Sequence, residues 1–340
     1  MKEESYMYNS AIIGCGRIFS THADAIQKSG YAKIRMVVDN DEGKAASASL
    51  RYKCEYGTDY KNALKRNDID VVHICTPHYL HAQMAIDAML SGKDVLVEKP
   101  MAISANDAEK MIITSEETKR KIGVCFQNRY NPASLWVKQF LDSGRAGKIL
   151  GARVFFTWSR DVEYYESAAW RGTWSMEGGG VLINQAIHTL DLLQWFMGDV
   201  DWVKASIDTR LLNDCIEVED TADVTIRFKT GAYGSFYATN NYTLDSPPLL
   251  EFHCEKAVIR LEDNVTITYT DNRKEIITNL EENTGEKTYW CLSHEKLIRE
   301  FYKNLSEKKQ FFLDGSQGIT ATKLVDAIYQ SSSTDKLVKL

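Results

Sequence analysis

Residues 10–19 read Ser10-Ala11-Ile12-Ile13-Gly14-Cys15-Gly16-Arg17-Ile18-Phe19. A short apolar run stops at a glycine, and a helical pattern starts at Phe19. A buried parallel strand ends in this way. Gly14 permits a tight turn. Gly16 lets the backbone approach a pyrophosphate, which the N-terminus of the next helix then stabilises, with Arg17 and Ile18 in the same turn. The third position of this glycine pattern is Phe19, so the turn needs support from its surroundings. That support comes from the next apolar run, 34–38, which Asp39 closes. An acid there would bind the ribose hydroxyls of an adenosine.

The same rhythm continues outward. Apolar runs at 71–75, 94–97 and 122–126 predict further strands, with a helix from Pro77 to about Leu90 that stops at Gly92. Alternating strands and helices predict a parallel, doubly wound sheet. Its ligand-facing edge would carry Thr76, Pro77, Glu98, Lys99, Asn128 and Arg129. After about residue 128 the pattern changes. A helix is expected over 131–142 and a strand over 151–158. The turn Gly178-Gly179-Gly180 should lead into a helix through Met197. Strands at 222–228, 234–239, 249–254, 257–261 and 264–269 follow one another without helices, which predicts antiparallel pairing. Helical stretches at 293–305 and 317–331 close the chain. The expected fold is α/β: a Rossmann dinucleotide-binding domain over 5–128, then an α+β domain over 129–340 with an open, mostly antiparallel sheet.

Composition narrows the partners. The 340 residues carry a net charge of −6, which attracts neither nucleic acid nor an anionic membrane. The start of the chain is polar and lacks the apolar stretch of a secretory signal. Seven cysteines, an odd number with no CxxC pair, fit reduced thiols in a cytoplasm. His73, Cys75, His78 and His81 have no usual zinc spacing, so no metal is expected.

Taken together, the motifs resemble the Gfo/Idh/MocA family, the glucose–fructose oxidoreductase and inositol dehydrogenase group. They are Gly14-Cys15-Gly16-Arg17-Ile18 with His22, Thr76-Pro77 with His81, and Glu98-Lys99-Pro100. Asn128-Arg129-Tyr130-Asn131-Pro132 and Gly178-Gly179-Gly180 through Asn184, His188 and Asp191 complete the set. The resemblance implies NAD(P)-linked hydride transfer on a secondary alcohol or ketone of a sugar, cyclitol or sugar derivative. It also implies a homodimer or homotetramer built on the C-terminal sheet. Two alternatives stay open: an NAD-dependent glycosidase working by transient oxidation, and a ligand-sensing regulator on the same fold. The cofactor-binding set would be Gly14, Gly16, Arg17, Ile18, Asp39, Thr76, Pro77, His81, Glu98, Lys99 and Asn128.

Alcohol oxidation needs a base for the hydroxyl proton. Lys99 and His188 are the two candidates, and the resemblance implies that both stand at the reacting oxygen. Histidine titrates near neutrality, whereas lysine needs burial or a nearby cation to lose its proton. His188 is therefore read as the proton acceptor and Lys99 as the group that polarises the oxygen. Many family members carry Asp four residues before the histidine. Here Asn184 stands there, and on a helix it would share a face with His188. Asp191 could orient His188 or serve the helix terminus, and the structural role is favoured. Tyr164, Tyr165, Trp170, Arg171 and Trp174 crowd one segment. Aromatic faces suit a sugar ring, and Arg171 could meet a carboxylate, a phosphate or ring hydroxyls. Arg129, Tyr164, Trp170, Arg171, Asn184 and His188 form the expected substrate set.

Asp39 is followed by Asn40, Asp41 and Glu42, with no adjacent arginine. A 2′-phosphate would meet like charge, at about 1 kcal/mol for ~4 Å in water and about 4 at a protein surface. The chain should prefer NAD over NADP by about tenfold or more in kcat/KM. Equal values for the two cofactors would overturn this reading.

Overall fold

The structure, a computed structural model, describes residues 7–278 and 293–340. Cys291 and the polar start of the chain lie outside the described residues. The elements run β1 (Tyr8–Ile13), α1 (Phe19–Ser29), β2 (Ala32–Val38), α2 (Glu42–Tyr52), β3 (Glu55–Gly57), α3 (Tyr60–Leu64), β4 (Val71–Ile74), α4 (His81–Leu90), β5 (Asp94–Val97), α5 (Ala105–Thr118) and β6 (Ile122–Val124). Then come α6 (Pro132–Asp142), β7 (Ile149–Thr157), α7 (Val162–Glu166), α8 (Ile187–Met197), β8 (Val200–Asp208), β9 (Thr221–Phe228), β10 (Tyr233–Thr239), β11 (Leu249–Cys254), β12 (Ala257–Leu261), β13 (Val265–Tyr269), β14 (Lys274–Ile277), α9 (Ser293–Ser306), α10 (Gly315–Thr334) and β15 (Val338–Lys339).

The chain divides into two compact units. The first holds residues up to Gln127 together with Ser293–Ile319, and the second holds Asn128–Leu292 and Thr320–Leu340. A single crossing near residue 128 was expected, so the return of 293–319 to the first unit is a correction. Amphipathic α9 buries Leu297, Ile298, Phe301 and Tyr302 in that unit. Periodicity shows that α9 has an apolar face but not which sheet will cover it.

In the first unit, six strands run in the order β3-β2-β1-β4-β5-β6, all parallel. Chain order reverses between β1 and β4, so a crevice opens at their C-terminal ends. Ala11, Ile12, Val71 and Val72 are fully buried, as strands covered on both faces require. Asp41, Asp59 and Ser104 cap α2, α3 and α5 by accepting hydrogen bonds from the amides of Lys44, Lys61 and Asp107. The returning segment is bonded in as well. The Val124 amide donates to the Leu313 carbonyl at 2.9 Å. The Tyr302 hydroxyl meets His73 Nε2 at 2.7 Å and Ser10 Oγ at 2.5 Å, both fully buried.

The second unit holds nine strands in the order β14-β13-β12-β11-β7-β10-β9-β8-β15. Among the described residues only β7 and β10 pair in parallel, so the sheet is mostly antiparallel, as expected. Ala222, Val224, Ile226 and Phe228 alternate inward along β9. On the inner face Phe196 of α8 packs edge-on against Phe252 at 5.3 Å. Phe155 and Tyr233 stand exposed. Among the described residues no helix is long and apolar enough to cross a membrane.

Tyr302→Phe should lower the urea midpoint of the first unit, because His73 and Ser10 lose a buried partner at a cost of about 1–3 kcal/mol. An unchanged midpoint would mean that α9 is not a working part of that unit.

Candidate active site

At the edge of the parallel sheet, Gly14 has a positive φ of 98°. A Cβ built there would lie 2.5 Å from the Cys75 carbonyl oxygen, closer than real Cβ atoms come, so only glycine fits. Gly16 faces open space, with nothing within 4 Å of a built Cβ. Arg17 beside it is exposed and Ile18 half-buried. Ile18 begins α1 without a side-chain cap. Open space over an uncapped helix start suits a pyrophosphate. The half-buried Asp39 ties this turn to β2. Its Oδ2 accepts from the Cys15 amide at 2.8 Å and its Oδ1 from the Asp41 amide at 2.9 Å. Carboxylate oxygens have further lone pairs, so ribose hydroxyls remain within its capacity. These residues fit a bound dinucleotide.

Thr76 and Pro77 stand half-buried on the same edge, and Pro77 opens a single 3-10 turn before α4 rather than the helix itself. His81 and Glu98 were expected to touch the cofactor, and the structure turns both inward. His81 is fully buried, with Nδ1 2.7 Å from the Pro100 carbonyl oxygen and Nε2 2.8 Å from that of Thr76. Burial holds its pKa down, against the pull of the two carbonyls. It braces the Lys99-Pro100 turn against the Thr76 turn.

Glu98 accepts from His22 Nε2 at 2.8 Å and from the Lys99 amide at 3.2 Å, with His294 Nε2 3.6 Å away. Burial pushes its carboxyl up, but the hydrogen bond from His22 and the charge of His22 and His294 prevail and hold it well below the usual range. Behind it, His22 Nδ1 meets His73 Nδ1 at 2.9 Å, and His73 leads to Tyr302. Burial, then the charge of His22, keeps His73 neutral. The spacing of His73, Cys75, His78 and His81 drew attention in the sequence, yet the ligand-type atoms that cluster within 4.8 Å belong to His22, Glu98 and Cys125. The hydrogen bond between His22 and Glu98 accounts for the closest of these contacts. Lys99 itself is half-buried on the edge.

In the second unit, Asn128 stands half-buried in the 3-10 turn Gln127–Tyr130. Arg129, expected at the substrate, is instead buried. Its Nε and Nη2 donate to both oxygens of Asp191, at 2.8 and 2.6 Å. Two parallel bonds to a planar carboxylate use the guanidinium fork fully. Asp191 is thus a buried counter-ion to Arg129, and not the first-turn acid expected from its place in the sequence, since it lies beyond the first turn of α8.

The glycine turn is clamped by an acid that sequence reasoning missed. A Cβ on Gly180 would sit 1.9 Å from the Glu219 carbonyl oxygen. The Glu219 carboxyl accepts from the amides of Gly180 and Leu182 and from the Tyr329 hydroxyl, each at 2.9 Å. Burial pushes its pKa up to about 7, against the stabilising amides. Glu219 stands in the acidic stretch Glu217-Val218-Glu219-Asp220, so nothing in the sequence set it apart from its neighbours.

Asn184 does not lie on the helix. It sits in the turn before α8, whose second residue is the half-buried His188, so the shared-face expectation is corrected. Asn184 Nδ2 donates to Glu177 Oε1 at 2.5 Å and reaches the Tyr164 hydroxyl at 3.3 Å. Glu177 is fully buried and also accepts from the Gly172 amide at 2.5 Å. A carboxylate therefore stands beside position 184 although the residue there is an amide. Gln185 Nε2 and Arg171 Nη1 also donate to the Tyr164 hydroxyl. The Arg171 guanidinium lies over the rings of Tyr164, at 4.2 Å, and Trp170, at 4.8 Å. Tyr165 packs in a small core with Leu212, Ile216 and Val218. Trp174 is held by the Glu217 carbonyl.

Thiol chemistry fits poorly here. Burial raises the pKa of Cys15 to about 12 and of Cys54 to about 11, and pushes Cys75 and Cys125 well up.

Residues 8–126 match the model of an oxidoreductase family with an NAD-binding Rossmann fold. Residues 135–260 match the GFO/IDH/MocA C-terminal domain. With the crevice geometry, these matches define the class as NAD-binding oxidoreductases of two-part build. The chain belongs to the Gfo/Idh/MocA family. It is 24% identical to an inositol 2-dehydrogenase of Rhizobium meliloti over 97% of this chain and 98% of that protein. It is 29% identical to a levoglucosan dehydrogenase of Pseudarthrobacter phenanthrenivorans, in a match spanning 61% of this chain and 59% of that protein. The solved structure of the WlbA dehydrogenase from Bordetella pertussis, in complex with NADH and UDP-GlcNAcA, is 29% identical. Its TM-score is 0.86, with 98% of this chain and 99% of that one covered.

Arg129→Met should cost about 3–5 kcal/mol, since it strands the Asp191 carboxylate in a dry interior, and adding Asp191→Leu should recover most of the loss. A raised KM with unchanged melting would instead return Arg129 to the substrate.

Proposed function

We propose that this chain transfers hydride between NAD and a secondary alcohol of a sugar, cyclitol or sugar derivative. The observation that carries the reading is the placement of Lys99. Its backbone is held by the buried Glu98, on the sheet edge that also carries the Gly14 turn and Asp39. That placement supports a role for Lys99 at the reacting centre rather than as a surface charge. NAD, when bound, would accept the hydride from the substrate carbon. Asp39 would hold the ribose hydroxyls, the turn from Gly14 to Ile18 the pyrophosphate, and Thr76, Pro77 and Asn128 the walls of the crevice.

Lys99 polarises the reacting oxygen, and His188 takes the hydroxyl proton. Tyr164, Trp170, Arg171 and Asn184 shape the sugar pocket. Names of relatives such as inositol 2-dehydrogenase and levoglucosan dehydrogenase support the substrate class. A homodimer or homotetramer through the nine-stranded sheet fits the exposed Phe155 and Tyr233. The six cysteines among the described residues are all free thiols, which fits a reducing compartment such as the cytoplasm.

A panel of sugars and cyclitols, scored for NADH formation, tests the proposal. Lys99→Met should lower turnover on the order of 10²–10⁴-fold while NAD binding stays measurable. His188→Asn should do the same to turnover. Near-normal turnover in Lys99→Met would sink the assigned role.

A further inference from the structure

We propose that Arg171 is an anion-binding subsite, so that the substrate is a sugar carrying a carboxylate or a phosphate. The inference rests on the sugar-oxidoreductase reading above and narrows it. Its ground is the surroundings of Arg171 set against those of other arginines in the second unit. Like Arg171, Arg145 and Arg227 have no carboxylate within 4.0 Å among the described residues, but only Arg171 has a buried guanidinium nitrogen left without an acceptor there. Arg129 is answered by Asp191, Arg153 by Glu251 at 2.8 Å, and Arg160 by Asp245 at 3.0 Å. Among the described residues no carboxylate lies within 4.0 Å of the Arg171 guanidinium, although Arg171 is half-buried.

Its nearest surroundings do not replace a counter-ion. The rings of Tyr164 and Trp170 attract a cation, but weakly, by about 0.5–2 kcal/mol. Of five N–H donors, Nη1 is used, toward the Tyr164 hydroxyl, and Nε is buried with no acceptor among the described residues. The nearby Glu177 carboxylate is already committed to the Gly172 amide and to Asn184. The contrast with Arg160 is direct. Its guanidinium also lies over Tyr164, at 5.1 Å, but Asp245 neutralises it.

Position supplies the second half of the argument. Tyr164 takes donors from Arg171, Asn184 and Gln185. Arg171 is therefore wired to the turn that leads directly into the His188 helix. A guanidinium prefers planar, two-oxygen anions, and carboxylates and phosphates both qualify. An uncharged hydroxyl would leave the cation unanswered.

The test uses full-length protein loaded with NADH, titrated by calorimetry with D-glucose, D-glucuronate and D-glucose 6-phosphate. At least one anion should bind about tenfold or more tightly than glucose. Preference for glucuronate assigns a carboxylate, and preference for the phosphate ester assigns a phosphate. Arg171→Met should reduce the preference to within about twofold, and Arg171→Lys should keep part of it, because the charge stays while the fork is lost. NADH titration of both variants checks that they fold. Glucose bound as well as either anion overturns the subsite and leaves the sugar reading standing, as does a preference that survives Arg171→Met. If none of the three binds while NADH does, the subsite falls, and the sugar reading is decided separately by the panel of sugars and cyclitols.

Discussion

A carboxylate kept ionised in a dry interior must be answered from every side, and Glu98 sets that requirement for the sheet edge. Water cannot do it at this depth. His22 supplies a ring nitrogen, Lys99 its own amide, and His294 a nearby ring. His22 in turn needs a partner for its second nitrogen, which recruits His73, and His73 recruits Tyr302. One buried charge thus fixes residues on α1, β4, β5 and α9. Lys99 inherits its position from this arrangement, since the acid beside it cannot move without stranding its partners.

The second unit meets the same kind of demand with different parts. Glu219 and Glu177 are both buried and both satisfied largely by backbone and side-chain amides. Amides stabilise a carboxylate without adding a full positive charge. Glu219 is accordingly left close to protonation at neutral pH, with its pKa near 7. The glycines at 178–180 are the geometric counterpart, because a side chain at Gly180 would occupy the space of the Glu219 carbonyl.

Much of this was legible from local chemistry. The Gly14 turn, Asp39, the ends of β4 and β5 and most strands of the open sheet are written within a few consecutive residues. What was not legible depends on contacts distant in sequence. Short, Ala- and Ser-rich α2 and the three-residue β3 give little periodic signal. Arg129 looked like a substrate residue because its carboxylate partner lies 62 positions away. Asn184 looked helical because α8 starts only at Ile187, after a run of tight turns. The destination of α9 could not be read from α9, whose apolar face would suit either sheet.

That destination affects how the protein is made. When the ribosome has delivered β6, the parallel sheet still lacks Tyr302, which emerges only after β7–β14 have been synthesised. At about 5–20 residues per second the wait is roughly ten to thirty seconds. During it, the nascent first unit holds His73 and Ser10 without their hydroxyl partner, and Val124 without the Leu313 carbonyl. The unit translated first is therefore completed only after most of the second unit has left the ribosome. A stalled or prematurely terminated chain would expose the face of the parallel sheet that α9 covers, giving quality-control factors a target at the end of the molecule that left the ribosome earliest.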